Sequence, residues 1–161
     1  MASFATLDTP VGSVGVASDG AAITRVTWTT AITGHPRDPV LVEAMRQLRA
    51  YFDGELTAFA LPFDLGQQSD VTRAVLTTLY DTVAHGESVT YGELAERSGT
   101  GVPARAIGSI MGANPIPIIV PCHRVVAGDG LGGYSGGAPG EGLATKRWLL
   151  EHEGALPPAL F

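Results

Sequence analysis

The chain has 161 residues, of which 45% are hydrophobic and 16% charged, a composition that predicts a globular protein and excludes an extended disordered chain. Its single cysteine excludes internal disulfides and a thiolate-rich zinc site. The sequence shows neither an apolar run long enough for a membrane helix nor the pattern of a secretion signal, so we expect a cytoplasmic protein with no membrane partner. The formal net charge of −6 leaves few cations to neutralise phosphates, so charge alone would not predict a nucleic-acid binder.

The first part of the chain predicts a small α/β unit. Alternating apolar and small residues over residues 3–28, broken by an Asp-Gly turn signal, predict antiparallel strands. Asp38 and Pro39 are typical of an N-cap and a first helical position, and apolar residues at three- and four-residue spacings continue this helix as far as Gly54. Residues 58–65 predict a further strand, at a sheet edge because a proline interrupts it. No cluster of titratable residues indicates a functional site in this part.

A polar Gly-Gln-Gln-Ser segment marks the predicted boundary between two domains, residues 1–66 and residues 67–161. Ser69 or Asp70 is a suitable N-cap for a helix that is predicted to continue to about Ala84. The second domain is therefore expected to begin with a helix.

Two short helices are predicted next, and together they are typical of a helix-turn-helix. Thr90 and Glu93 form a capping box that begins the first helix, and a Gly-Val-Pro turn separates it from a second helix that extends to about Gly112. The second helix is rich in small residues, which either pack closely against another element or allow a close approach to a DNA backbone. Arg105 is its only long cation and lies near its start, where recognition helices contact bases.

The segment from Asn114 to Val126 contains the only cysteine, Cys122, with His123 next to it. Three prolines restrict its backbone, which predicts a stiff, extended and buried segment. A lone buried cysteine is most often just a small hydrophobic residue. Here the cationic neighbours His123 and Arg124 would favour the thiolate form, which makes Cys122 a candidate nucleophile. Arg124 itself is expected to be structural.

The chain ends with a loop and a helix. The loop, residues 131–137, is rich in glycine, which by itself is weak evidence of function. The last helix is predicted over residues 143–153, with Gly154 at its C-terminal end.

The sequence around the cysteine is similar to a known active-site signature. Pro-Cys-His-Arg-Val at residues 121–125, preceded by Asn-Pro-x-Pro at residues 114–117, resembles the signature of the O6-alkylguanine-DNA alkyltransferases. The resemblance is close over residues 86–154 and covers the earlier part only in general layout. It implies an α/β (α+β) protein with a small N-terminal ribonuclease-H-like α/β domain and a C-terminal winged helix-turn-helix domain.

The resemblance also implies an activity. In this family an alkyl group on O6 of guanine, and also on O4 of thymine, passes irreversibly from double-stranded DNA to a cysteine of the protein, so that each molecule reacts once. The lesion is buried in the duplex and must be flipped out. No cofactor or metal is implied, and the protein is expected to act as a monomer in the cytoplasm, on DNA of the nucleoid.

Five residues match positions that carry the chemistry in the family. Cys122 matches the nucleophile, and His123 and Glu153 match the residues that activate it through a bridging water. A water link is also expected because adjacent side chains on an extended segment point to opposite faces. Tyr91 matches a tyrosine that rotates the nucleotide and donates a proton toward the departing base, and Asn114 matches an asparagine that ties the recognition helix to the active-site segment.

Further residues match positions that contact DNA or the flipped base. Arg105 matches an arginine that inserts into the base stack, and the small residues Ala106 and Gly108 would allow its helix to approach DNA closely. The remaining matches line the guanine pocket, with an apolar wall and a loop whose backbone N–H points at O6: Met111, Tyr134, Ser135 and Gly136.

The sequence departs from the family pattern at one point. Residues 138–142, Ala-Pro-Gly-Glu-Gly, stand between the glycine-rich loop and the last helix, which are usually continuous. This insertion is expected to lengthen the lip of the pocket and to change the size of alkyl group that the protein accepts.

Two other functions are compatible with these residues. A non-catalytic helix-turn-helix module could sense alkylated DNA without repairing it, but the presence of Cys122 argues against this. A thiol hydrolase using Cys122 and His123 would turn over, whereas an alkyltransferase would stop after one reaction.

Overall fold

The computed structural model describes residues 3–31 and 36–156, which form a small sheet-and-helix domain followed by a helical domain. The N-terminal domain contains three antiparallel strands in the order β1-β2-β3 and one helix, with these bounds: β1 (Ser3–Thr9), β2 (Gly12–Ser18), β3 (Ile23–Trp28) and α1 (Pro39–Phe52). The strands predicted over residues 3–28 and the helix predicted from Pro39 are confirmed. Predictions that concern residues 1–2, 32–35 and 157–161, such as the start of the first domain and the end of the second, lie outside the described residues.

The start of α1 is fixed by its predicted N-cap. The Asp38 carboxylate accepts a hydrogen bond from the backbone N–H of Val40 at 2.9 Å, which satisfies one of the free donors at the helix N-terminus. The same carboxylate accepts from the hydroxyls of Ser3 and Ser18, on β1 and β2. The cap therefore also ties the helix to the sheet on which it packs.

The strand predicted over residues 58–65 is wrong. Only one isolated bridge forms there, between Ile23 and Phe63. Earlier in the same segment, the Gln47 side chain of α1 bonds both the N–H and the C=O of Ala60, at 2.9 and 3.2 Å. A side chain thus takes the place that a neighbouring strand would have, and the segment stays irregular.

The C-terminal domain is mainly helical. Its elements are α2 (Asp70–Thr82), β4 (Val89–Thr90), α3 (Tyr91–Ser98), α4 (Ala104–Gly112), a 3₁₀ turn (Cys122–Arg124), β5 (Val125–Val126) and α5 (Gly142–His152). Helix α2 ends two residues before the predicted Ala84, and the capping box of α3 is present, with both Thr90 and Glu93 bonded. Strands β4 and β5 pair in parallel. The predicted fold class, a small α/β domain followed by a helical helix-turn-helix domain, is confirmed.

The two domains share one continuous hydrophobic core. The edge strand β3 contacts the segment that carries Cys122. The N–H of Val26 donates to the C=O of Pro115 at 3.0 Å. Tyr51 of α1 is 1% exposed and reaches the end of α5. No helix among the described residues has the length and hydropathy to cross a bilayer.

Candidate active site

The segment that carries the cysteine is buried, as predicted, but it is not extended. The N–H of Val120 donates to the C=O of Ile116 at 2.9 Å, and Cys122 begins the 3₁₀ turn. Proline restricts its own φ and the residue before it, so Ile118 and Ile119 remain free to turn, and Ile118 adopts a φ of 75°. The Asn114 side chain stabilises this turn, because it donates to the C=O of Val120 at 2.9 Å and accepts from the N–H of Ile116 at 3.0 Å.

The Cys122 thiol is protonated in the free protein. Its residue is 7% exposed, and burial raises the pKa of the thiol to about 11, although a hydrogen bond from Asn114 and the charge of Lys146 act in the opposite direction. The prediction that His123 and Arg124 favour the thiolate is wrong, because both side chains are directed at Glu153. The thiol therefore needs a base to become a nucleophile.

The His123 ring is held by Glu153 and has one nitrogen without a partner among the described residues. Its Nε2 lies 2.8 Å from Oε2 of Glu153, and both side chains are fully buried. Burial would raise the pKa of Glu153, but hydrogen bonds from His123 and Arg124 and the positive charge of Arg124 hold it well below its usual range, so the carboxylate accepts and Nε2 donates. Burial lowers the pKa of His123, which keeps the ring neutral. Its Nδ1 is buried with no partner among the described residues and can accept a proton.

Two further donors converge on the Glu153 carboxylate. Arg124 donates through Nε to Oε1 at 2.8 Å and through Nη2 to Oε2 at 3.1 Å, while its Nη1 donates to the C=O of Val83. The hydroxyl of Tyr51 donates to Oε2 at 2.5 Å. Arg124 is thus fully used inside the protein, in agreement with its predicted structural role.

A cavity of about 310 Å³ opens beside the thiol. Its lining comes from α3, α4, the 3₁₀ turn and the glycine-rich loop: Tyr91, Gly108, Met111, Cys122, Gly133, Tyr134 and Ser135. The Tyr91 hydroxyl accepts from the N–H of Gly133 at 3.1 Å, which leaves its own proton available to a ligand. Gly132 has φ of 72°, and a Cβ there would lie 2.5 Å from that hydroxyl, so only glycine fits.

A second cavity, of about 550 Å³, reaches the same thiol from the side of the N-terminal sheet. Asn114 and Gly136 line this cavity but not the first. None of residues 138–142 lines either one; Ala138 and Pro139 instead lie near Trp28. Any effect of the insertion on alkyl size would therefore have to act through the neighbouring loop.

Lys146 holds the glycine-rich loop that contributes to the first cavity. It is 0% exposed on α5, and its Nζ donates to the C=O of Val125 at 2.6 Å and of Gly133 at 2.8 Å. Burial lowers its pKa to about 8, and the nearby thiol acts in the opposite direction. Lys146 therefore joins β5 to the glycine-rich loop and places a positive charge near Cys122.

The second helix of the helix-turn-helix, α4, presents small residues outward. Arg105 and Gly108 are exposed and Ala106 is half-buried, while Ile107 and Ile110 face the core. A Cβ added to Gly108 would meet no heavy atom within 4 Å. Close packing within the protein does not explain this glycine, and this favours a role of the helix surface in contacting a partner.

Comparison with known proteins agrees with this arrangement. A family model described as the ribonuclease-like domain of 6-O-methylguanine DNA methyltransferase matches residues 3–65. A second family model, described as the DNA binding domain of the same methyltransferase, matches residues 70–155. The chain belongs to the O6-alkylguanine-DNA alkyltransferase family. The resemblance seen at the cysteine motif is thereby confirmed.

Individual relatives of this alkyltransferase support the assignment. The methylated-DNA–protein-cysteine methyltransferase of Mycobacterium bovis is 40% identical over 166 residues, covering 99% of this chain and 96% of that protein. The mouse protein of the same name is 45% identical over 120 residues, covering 71% of this chain and 55% of that protein. These names are those of methyltransferases, so the non-catalytic sensor is not favoured.

Two solved structures share the fold. The O6-methylguanine methyltransferase of Mycobacterium tuberculosis has a TM-score of 0.82 and 38% identity, covering 99% of this chain and 96% of that one. The structure described as that organism's protein in complex with DNA has a TM-score of 0.80 and 41% identity, covering 97% of this chain and 95% of that one.

Most of the site residues predicted for this alkyltransferase lie together, although their roles remain predictions. Tyr91 and the pocket residues line the two cavities that reach the Cys122 thiol, and His123 contacts Glu153. The residues predicted on α4 for DNA lie on its outward or half-buried face. Tyr51 and Lys146 were not predicted from the sequence. Lys146 had a weak signal, a lysine on the buried face of the last helix, whereas Tyr51 had none.

The described residues contain no group of three or more His, Cys, Asp or Glu side chains that could hold a metal ion.

Proposed function

We propose that this protein repairs double-stranded DNA by transferring the alkyl group of O6-alkylguanine, and of O4-alkylthymine, irreversibly to Cys122. The observation that carries the proposal is the buried Cys122 thiol that lines a cavity, next in the chain to a histidine that is paired with the buried Glu153 carboxylate. The family membership of the chain supports the same reaction. Each molecule would react once, because the product is a neutral thioether and the cysteine thiolate is a poor leaving group from it, so the alkyl group stays on sulfur.

The reaction begins with the thiol proton. His123 Nδ1 accepts it through a water molecule, and the Glu153 carboxylate stabilises the resulting imidazolium. The thiolate then attacks the alkyl carbon in line with O6. The S–C bond forms as the C–O6 bond breaks, and the electron pair leaves with guanine. Tyr91 donates its hydroxyl proton to the departing base, which leaves neutral.

DNA binding would bring the base to this cavity. The exposed α4 fits against the duplex, Arg105 fills the gap left by the flipped nucleotide, and Ala106 and Gly108 allow close approach. In the pocket, Met111 forms an apolar wall and the loop at Tyr134, Ser135 and Gly136 holds the guanine. Asn114 keeps the cysteine segment in its turn.

The domain organisation and setting belong to the same proposal. We place the boundary between residues 1–66 and residues 67–161, and the family matches, which end at residue 65 and resume at residue 70, support it. All reacting groups come from one chain, so the protein would act as a monomer, on nucleoid DNA in the cytoplasm.

Intact-protein mass spectrometry tests the proposal. After incubation with an excess of duplex oligonucleotide containing O6-methylguanine, the protein is expected to gain one methyl group, located on the Cys122 peptide. DNA repair should stop at one equivalent per protein molecule. Repair of many equivalents by an unmodified protein would instead support the thiol hydrolase.

Replacement of Arg105 distinguishes base flipping from the alkyl-transfer step. Arg105→Ala is expected to slow repair of O6-methylguanine in duplex DNA by about tenfold or more, because a flipped base would no longer be replaced in the stack. Reaction with free O6-benzylguanine should change by less than about twofold, since no base must be flipped. Arg147→Ala, which removes another exposed cation of the same domain, is the matched control. Equal slowing with both substrates would contradict the proposed role.

A further inference from the structure

The N-terminal domain reaches into the His123–Glu153 pair through one side chain. Tyr51 lies in the last turn of α1, 102 residues from its hydrogen-bond partner, and its hydroxyl donates to Oε2 of Glu153 at 2.5 Å. The same oxygen lies 2.8 Å from Nε2 of His123. One carboxylate oxygen is therefore shared between a residue of the N-terminal domain and the proposed base.

The Tyr51 hydroxyl is held firmly in this place. The backbone C=O of Tyr51 accepts from His152 Nε2 at 2.7 Å, so that two hydrogen bonds join the end of α1 to the end of α5. The ring packs edge-on against Phe52, His85 and His152, with centroids 5.1, 6.3 and 5.3 Å away. Burial, and then the charge and hydrogen bond of Glu153, raise the pKa of Tyr51, so it stays a neutral donor.

The geometry gives this hydroxyl a defined effect. Arg124 bonds both carboxylate oxygens of Glu153 and is satisfied at its third nitrogen by Val83. The Tyr51 hydroxyl occupies the remaining side of Oε2 and directs that oxygen at His123. It also withdraws charge from Oε2, which limits how strongly the carboxylate raises the basicity of the ring.

We propose that Tyr51 is a positioning residue for alkyl transfer, through which the N-terminal domain holds Glu153 against His123. The proposal rests on the function proposed above. It gives the N-terminal domain a part in the reaction, although the sequence of that domain indicates no site.

The experiment compares Tyr51→Phe with wild-type protein and with Tyr80→Phe. Tyr80 is the matched control, since its hydroxyl donates to a backbone oxygen, the C=O of Phe59 at 3.2 Å, rather than to the Glu153 carboxylate. The measurements are the single-turnover rate with free O6-benzylguanine between pH 5 and 9, DNA affinity, and thermal stability. The free base avoids any effect on base flipping.

Tyr51→Phe is expected to slow the reaction about tenfold at neutral pH, the lower end of the effect that loss of one hydrogen bond to a charged group produces. The acidic limb of its pH–rate profile should move to higher pH, because Oε2 would then hold a proton on His123 more strongly. The other charged or titratable groups around this pair, Arg124, Lys146, His85 and His152, are unchanged by the substitution. DNA affinity should be unaffected.

The outcomes distinguish this inference from the proposed function. If wild-type protein does not become alkylated, the proposed function fails. If wild-type protein reacts and Tyr51→Phe matches Tyr80→Phe in rate and in its acidic limb, Tyr51 is not a positioning residue. The inference also fails if Tyr51→Phe reacts faster, or if it loses stability alone while both kinetic readouts stay at the wild-type value.

Discussion

Replacement of Cys122 with alanine is expected to abolish alkyl transfer completely. The chain has one cysteine, so no other thiol can accept the alkyl carbon. The fold should tolerate the change, since loss of one buried sulfur costs roughly 1 kcal/mol of stability. Cys122→Ser should be almost equally inactive, because a hydroxyl is a much weaker nucleophile than a thiolate and His123 cannot ionise it to a useful extent.

Two measurements define this result. Mass spectrometry should show no alkylated peptide, and the O6-methylguanine in the oligonucleotide should remain. Binding of the variants to the same oligonucleotide should persist, because Arg105 and the outer face of α4 are untouched. Transfer that continues undiminished in either variant would refute the assignment of the nucleophile.

Glu153→Gln is expected to affect both stability and rate. The amide keeps the shape of the carboxylate but removes the charge that compensates Arg124, which is buried and bonds both oxygens. Leaving a buried cation without its partner costs about 3 to 5 kcal/mol of unfolding free energy. The imidazolium of His123 would also lose its counter-charge, so the transfer rate should fall about a hundredfold or more.

The stability effect has a predictable pH dependence. The pKa of Glu153 is depressed in the folded protein by His123 and Arg124, which together outweigh burial. A carboxyl of this kind stabilises the fold above its unfolded pKa and loses that contribution as the pH falls toward the folded value. The difference in unfolding free energy between wild type and Glu153→Gln should therefore be complete above about pH 5 and shrink below about pH 4.

Glu55→Gln, an exposed side chain in the loop after α1, provides the control for urea unfolding and for single-turnover kinetics. It should behave as wild type at every pH. A Glu153→Gln protein with wild-type rate at a temperature where it is fully folded would remove Glu153 from the proton relay.

Local signals explain why much of the fold was predictable from the sequence. Asp38 and the Thr90–Glu93 capping box act within three residues of themselves, and both helices begin where predicted. The cysteine motif is long enough to identify the family by itself. The strand prediction for residues 58–65 was wrong because the hydrogen-bond partner of Ala60 is a side chain on another element, which no local sequence pattern indicates.

The chemistry at the site was less predictable for a similar reason. The expected thiolate depended on positive charge on His123 and Arg124, the neighbours of Cys122 in the chain, but both side chains bond the Glu153 carboxylate and burial keeps His123 neutral. Proline content favours extended backbone only residue by residue, so it did not reveal a turn closed by Asn114. Tyr51 could not be found at all, since its role depends on a contact with a distant part of the chain.

The outer edge of β3 has a consequence for biosynthesis. Two of its N–H groups, those of Ile23 and Val26, donate to Pro62 and Pro115, which the ribosome adds about 40 and 90 residues later. Until those prolines emerge, the nascent sheet carries an open edge of the kind that pairs with other chains. Fragments that stop before the cysteine segment would leave the Val26 end of this edge uncovered, so we expect them to aggregate more readily than the full-length chain.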